Sequence, residues 1–435
     1  MSVAVAKTRT ILGVPAPIAI FFLAMMLPTA VSLSLGGLRL SAYRMVLIVM
    51  ILPMLLTLVS GRRGQFNVFD GLILLHATWV VFALINWGGL VQGIESGGIY
   101  FVECVGAYLI GRLFIRSYQD FSAMAFAYVG LVLATLMFTV PEALTGIHIL
   151  HDSISAAFGG RPAAYIDPRM GIERTFGPFD HPILYGVFSA SAFSLAYFVI
   201  AEKRLSNLSG MAKVAGVGLA TFMSASGGPY VVLIMQGFVA LWERALGKFK
   251  GRWTALFSLF GLAYLAIDLL STKTPFHVFV NYLTFSKQSA YNRILIFEYG
   301  TAEVARYPLL GIGLGQWERP AWMSDSMDNF WLVTAVRYGL PAFLLLVGLL
   351  LGLVWAVGRR KGLPVEWKRA RHAWAFTLFG ISVAAATVHL WNALFVLFFF
   401  LVGAGSWLLD ARPTSSVVNR SFAPVRPQLR PERLF

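Results

Sequence analysis

Only one of the 435 residues is a cysteine, Cys104, and it falls inside an apolar run. Intramolecular disulfides, Cys-ligated zinc and iron–sulfur clusters are thereby excluded. Charge is scarce as well: Asp, Glu, Lys and Arg together make up 13% of the chain, and 20 acids face 35 Lys and Arg. The seven histidines are scattered with no HExxH-type pair, so neither a metal site nor a cofactor is expected. The first apolar stretch lacks a small-residue cleavage site and is followed by further apolar stretches, so it reads as an anchor rather than a removable signal.

Apolar residues dominate instead, at 58% hydrophobic, 14% aromatic and a mean hydropathy of +0.72. No soluble core absorbs that much apolar surface, and runs of about 20 apolar residues recur along the chain. The fold class expected is all-α, a polytopic integral membrane protein. Its spans are placed near 15–34, 40–60, 68–87, 98–115, 121–140, 181–201, 211–224, 228–246, 253–271, 328–357, 370–388 and 390–409. These are twelve transmembrane helices, so both chain ends fall on one side.

Basic residues test that count independently. Arg62 and Arg63, Arg112 and Arg116, Lys203, Arg204 and Lys213, Arg244 to Arg252, Arg359 to Arg371 and the tail arginines all fall where alternation of the spans predicts cytoplasm. The segments are therefore a cytoplasmic N-terminus (1–14), a transmembrane domain (15–409) and a basic tail (410–435). The tail is rich in Pro, Ser and Arg and is expected to be disordered at the inner leaflet surface. The net charge of +15 is mostly this orientation signal, and no aromatic-interleaved basic groove accompanies it, so nucleic acid is not an expected partner.

Three groups of arginines break the pattern by falling on the outer side. Arg161, Arg169 and Arg174 lie in an outer loop at about 141–180; Arg293, Arg306 and Arg319 lie in another at about 272–327; Arg337 falls within an apolar span. Guanidinium groups held outside do nothing for orientation, and a phosphate-bearing substrate on that face supplies a reason for them. Loops of this length are usually functional or disordered. The second contains a helical stretch from Gln288 to Tyr307 with Tyr291, Ile294 or Leu295, Glu298 and Ala302 on one side, then Trp317 and Trp322 at an interfacial level. It reads as an amphipathic helix lying on the outer surface and capping a cavity.

Five motifs follow in order: Arg174-Thr-Phe-Gly-Pro-Phe-Asp-His181-Pro182, Ser224-Ala-Ser226-Gly-Gly-Pro229, Tyr291-Asn-Arg293, Tyr307-Pro308-Leu-Leu-Gly311-Ile-Gly313-Leu-Gly315, and Asp328-Asn329 with Gly339 ten residues after Asn329. Together they resemble the bacterial O-antigen ligase and polysaccharide polymerase superfamily over roughly residues 40–400. That resemblance implies a GT-C-like fold with a large periplasmic loop between spans 9 and 10. The family's ligase signature begins with His at the position of Asp328, while Asn329, the nine-residue gap and Gly339 are kept; Gly227 replaces an arginine often found after the second Ser. These departures point away from a typical core-lipid ligase and leave polymerase-like or other acceptor chemistry open.

The implied reaction transfers sugar from a polyprenyl diphosphate at the periplasmic face of the bacterial inner membrane. Its leaving group develops negative charge that planar guanidinium forks stabilise bidentately, and Arg174, Arg293 and Arg337 are the candidates. The acceptor hydroxyl needs a group to take its proton, and Asp328 fits. Asp328, Arg293 and Arg174 are thus the catalytic candidates; Arg337, Asn329, Arg319, Arg306, His181, Glu298 and Ser226 are the substrate-binding ones. Glu103 is the acid expected to partner Arg337, while His76 and His389 are read as satisfied bundle residues. Expected partners are a polyprenyl diphosphate-linked oligosaccharide, membrane lipid and other polysaccharide assembly proteins. The alternatives are a ligase for an O-antigen or protein acceptor, and a twelve-span secondary transporter, against which the two halves show no pseudo-repeat.

Overall fold

Apolar segments in lipid must satisfy their own backbone N–H and C=O groups, and the helix does so within a single segment. The computed structural model describes residues 9–35, 38–158, 162–202, 208–272, 274–283 and 287–410, and it is largely helical. Arg161, Lys203, Arg204, Lys273 and the tail from 411 lie outside the described residues. Among the described residues, seven helices are long and apolar enough to cross a membrane: Ala42–Val59, Val68–Phe114, Tyr118–Thr145, Pro182–Ala201, Arg252–Leu270, Phe330–Gly358 and Ala393–Asp410. Helices Ala16–Met25 and Leu208–Met223 are apolar but shorter, whereas Gly227–Leu246 and Val365–Ala385 fall short of that apolarity.

Val68–Phe114 is a hairpin rather than a rod. Gly89 stands at φ 75°, ψ 178°, a conformation closed to residues with a Cβ, and the chain folds back there. His76 Nε2 then meets the Tyr100 hydroxyl at 2.8 Å, and Asp70 accepts from Tyr108 at 2.7 Å and from Arg112 Nε at 3.0 Å. Pairings of that order require antiparallel arms, 68–88 and 90–114, close to the two separate spans expected there. Asn67 and Asp70 cap the first arm reciprocally, which fixes where it starts.

Three expectations need correction. The first span, 15–34, holds a helix only over Ala16–Met25, about 15 Å at 1.5 Å per residue and half the hydrocarbon thickness. Pro28 follows, and the alternating Ser-Leu pattern forms an antiparallel strand pair, Ser32–Leu35 with Leu38–Ser41, so the fold is not purely helical. The second correction concerns the helix at Lys287–Arg306. Its buried residues are Ala290, Leu295, Ile296, Gly300 and Glu303, while Tyr291, Glu298 and Ala302 are exposed. Its helical period matches the reading from sequence, but the buried face lies on a different side. It packs on a small core of its own with Trp317, Met323, Met327, Leu332, Val333 and Val336, so Trp317 is interior rather than interfacial.

The third correction shapes the site. The span placed at 328–357 begins only at Phe330, with the Asn329 side chain accepting from the Leu332 N–H at 3.0 Å as its cap. It breaks at Gly339 (φ 81°, ψ 169°) into a nine-residue half-helix, 330–338, and a long helix, 340–358. Asp328 therefore precedes the helix by two residues, and Arg337 lies near the far end of the half-helix, just before the break.

Candidate functional site

The half-helix 330–338 is held at both ends. At its start the Phe330 N–H donates to the Val388 carbonyl at 3.3 Å, and Trp331 Nε1 donates to the Ser382 carbonyl at 3.0 Å. At its end, carbonyls that a helix terminus leaves without partners accept from the glycine-rich turn: Ile312 N–H to Val336 at 2.9 Å and Gly313 N–H to Arg337 at 2.9 Å. Leu340 N–H then donates to the Pro308 carbonyl at 2.8 Å. The Gly311-x-Gly313-x-Gly315 motif is thus a cap laid across a helix end. A Cβ on Gly339 would stand 1.9 Å from the Leu309 carbonyl oxygen, so the backbones meet where the chain turns.

Two cavities share Asp328. The first, about 380 Å³, is lined by Asp325, Asp328, Arg337, His389, Trp317 and Trp391 together with Ile312, Val333 and Val336. The second, about 200 Å³, is mainly apolar and is lined by Val231, Phe276, Val280, Ile296, Val383 and Ala386 with Gly228, Arg293, Asp328, Asn329 and Thr387. One Asp328 carboxylate oxygen accepts from the Ser326 hydroxyl at 2.7 Å. Arg293 is partly dehydrated, which lowers its pKa, while Asp328 nearby opposes that shift and Arg169 adds to it.

Arg174 lines neither cavity but stands behind the second. Its Nη2 donates to Ser226 Oγ at 2.8 Å, and Gly228, two residues on, is part of the cavity wall. Neither Asp180 nor Glu173 pairs with it among the described residues; its Nε is buried without a partner, and burial first, then Arg169, lowers its pKa to about 10. A buried cation held this way is costly unless an anion arrives. The sequence search passed over the residue that positions it. Buried Glu142 accepts from the Phe176 N–H at 2.6 Å and the Gly177 N–H at 3.3 Å, fixing the turn just beyond Arg174. Its only signal was an acid two residues beyond the span placed at 121–140, where the helix in fact continues to Thr145.

The remaining candidates divide. Arg306 pairs with Glu303 at 3.2 Å and with Glu318, and Arg319 donates to the Met323 and Trp317 carbonyls over the Trp317 ring, so both brace the cap. Glu298 is exposed and lies 3.5 Å from His277. None of these three lines either cavity. Asn329 reaches the second cavity while serving as a helix cap. Arg337 reaches the first and lies 3.4 Å from the Gly313 carbonyl, but Glu103 is not its partner, because Glu103 pairs with Arg44 at 2.6 Å.

His181 acts as a shaped turn. Its Nδ1 accepts from the Ile183 N–H at 3.1 Å, and its ring meets Trp391 edge-on at 6.0 Å. Asp180 beside it accepts from Asn392 at 2.9 Å and from Thr29 at 2.7 Å. The motif thus buttresses the turn 386–392, which carries His389. His76 is satisfied as expected, by the Ala342 carbonyl and Tyr100, but His389 is not. It lines the first cavity, and sequence reasoning assigned it to the bundle because nothing near it marks a site.

Burial, then Arg174 and Arg169, holds His181 down to about 4; burial, then Arg337, does the same to His389. In the unfolded chain both rings take up protons near pH 6.5. Their neutral state therefore contributes full stability above pH 6.5, and that contribution is lost as pH falls from 6.5 through about 4, roughly 2–4 kcal/mol per histidine at the limit. The thermal midpoint of detergent-solubilised protein should stay level above pH 7 and fall below pH 6, with a shallower fall in His389→Gln. An unchanged pH profile in that variant would contradict the buried neutral ring.

Among the described residues no group of three or more His, Cys, Asp or Glu is placed to hold a metal ion. No protein-family model matches the chain, and a search of curated proteins finds no significant match.

Proposed function

We propose that the chain is a glycosyltransferase of the bacterial inner membrane that polymerises polyprenyl diphosphate-linked oligosaccharide units into surface or exopolysaccharide. On this reading the chain crosses twelve times, with both termini in the cytoplasm and the two cavities open to the periplasm, as the distribution of basic residues suggests. The observation that carries the reading is the position of Asp328, in the wall of a greasy cavity containing Arg293 and of a polar one containing Arg337. The isoprenoid tail and anionic diphosphate of a donor match the greasy cavity and its Arg293, which leaves Asp328 between that donor and a polar hollow.

In the reaction the acceptor oxygen bonds to the anomeric carbon as the bond to the diphosphate breaks, its electron pair leaving on the diphosphate. Asp328 takes the hydroxyl proton as the new bond forms. Arg293 stabilises the departing charge, and the N-terminus of Gly227–Leu246 adds its partial positive charge, with Arg174 held at Ser226. A single displacement of this kind inverts the anomeric configuration and calls on no metal ion.

Replacing Arg293 or Arg174 with Ala, after confirming membrane expression, tests the reading. Loss of one such contact should cut chain extension by on the order of 10²-fold, with single lipid-linked units accumulating. Long lipid-linked chains that never reach a final acceptor would favour a ligase. Unaltered glycans with lost uptake of a solute would make the chain a transporter.

A further inference from the structure

The two cavities differ in charge as well as polarity. The greasy one receives Arg293, the N-terminal end of Gly227–Leu246 and the field of Arg174 and Arg169, against one carboxylate, Asp328. The polar one is lined by two carboxylates, Asp325 and Asp328, against one guanidinium, Arg337. A diphosphate is drawn to the first and repelled by the second. The polar cavity suits an uncharged ligand that both donates and accepts many hydrogen bonds.

His389 sharpens that description. Its Nδ1 is sealed from solvent and has no hydrogen-bond partner among the described residues, and the ring lines the cavity. A buried nitrogen with no acceptor nearby is better left without a proton, so the neutral ring carries its proton on Nε2, the nitrogen open to the cavity. Phe330 and Trp391 pack against the imidazole with ring centroids at 6.4 and 6.1 Å, tilted 26° and 25° from its plane. Trp391 also lines the cavity, offering a broad aromatic surface beside a donor and two carboxylates. A pyranose presents ring C–H groups on one face, suited to the negative face of an indole, and hydroxyls around its rim.

We infer that the polar cavity is a saccharide subsite that receives the acceptor sugar, with Trp391 beneath the ring, His389 Nε2 donating to one hydroxyl and Asp328 facing the hydroxyl that reacts. This assignment rests on the transferase reading and adds to it a division of labour, lipid diphosphate on one side of Asp328 and acceptor sugar on the other. Arg337 and Asp325 complete the rim of donors and acceptors.

The test uses the full chain purified in detergent and two probes that separate the two halves of the site. One is the mixture of oligosaccharides released by mild acid from the polyprenyl-linked glycans of the source cells; the other is farnesyl diphosphate. Binding is read by titration calorimetry and by saturation-transfer NMR. Trp391→Ala and His389→Leu should each weaken oligosaccharide binding at least about tenfold while farnesyl diphosphate affinity holds; Arg293→Ala should do the reverse. Trp391→Phe and His389→Gln, which keep an aromatic face and an N–H donor, should recover most of the loss and show that the fold is intact. Equal oligosaccharide binding by wild type and Trp391→Ala overturns the subsite, as does farnesyl diphosphate binding that falls with Trp391→Ala. Oligosaccharide binding that depends on Trp391, in a protein that takes no isoprenyl diphosphate, would keep the subsite and remove the transferase reading. Isoprenyl diphosphate bound through Arg293, with no oligosaccharide bound, would do the opposite.

Discussion

Gly339→Ala should abolish chain extension and lower the thermal midpoint by more than any other single methyl addition in the same helix. Two costs coincide there. The backbone is at φ 81°, where an L side chain is strained, and the new Cβ would stand 1.9 Å from the Leu309 oxygen and 2.4 Å from the Leu309 carbonyl carbon. Those atoms belong to backbone, which cannot swing aside as a flexible side chain does. Strain and overpacking each run to roughly 1–3 kcal/mol, so a loss of roughly 2–6 kcal/mol is expected. Gly348→Ala is the control, since nothing lies within 4 Å of its Cβ position and alanine favours a helix there. Thermal unfolding in detergent compares the two, and equal midpoints would mean that the turn at Gly339 is not as tight as described.

Asp328→Asn should lower the rate of sugar transfer on the order of 10²–10⁴-fold while leaving expression and the thermal midpoint near those of the parent protein. The carboxamide keeps the shape and can still meet the Ser326 hydroxyl, but it cannot take a proton from the acceptor. Measured on solubilised enzyme with lipid-linked oligosaccharide, the fall should appear in kcat more than in KM, because an interaction made only as the proton moves is missing. Retention of most activity would remove Asp328 from the chemistry and leave it as a polar residue between two hollows. Arg337 and His389 would then be the groups to replace next.

Much of this architecture could be read from residue order, for particular reasons. Apolar runs of membrane length stand out whatever they pack against, so the paired arms of the Gly89 hairpin were found as two segments. Asp328, Arg293 and Arg337 stood out because charge is rare here and their positions do not serve orientation. Facing directions were harder. The Lys287–Arg306 helix buries Gly300 against Leu332 and also buries Glu303, while Tyr291 and Phe297 stay exposed, so its inner face is not its most apolar one. Periodicity finds a helix, but it does not reveal that the partner is a looped cap rather than lipid. Partnership was hardest of all: Glu103 stood opposite Arg337 in prospect, yet Arg44 takes it. His389 was assigned to the bundle and Trp391 went unnoticed because a short turn between two helices carries no pattern, and only the folded chain brings it beside Asp328.

The clamped half-helix also works as a spacer of fixed length. Nine residues separate the Asn329 cap from the turn at Gly339, and each residue of a helix advances its direction by about 100°. Adding or removing a single one would swing Arg337 to another side of the rod while Asp328 stayed tied to the opposite end. The residue count of that stretch is therefore as constrained as any side chain on it.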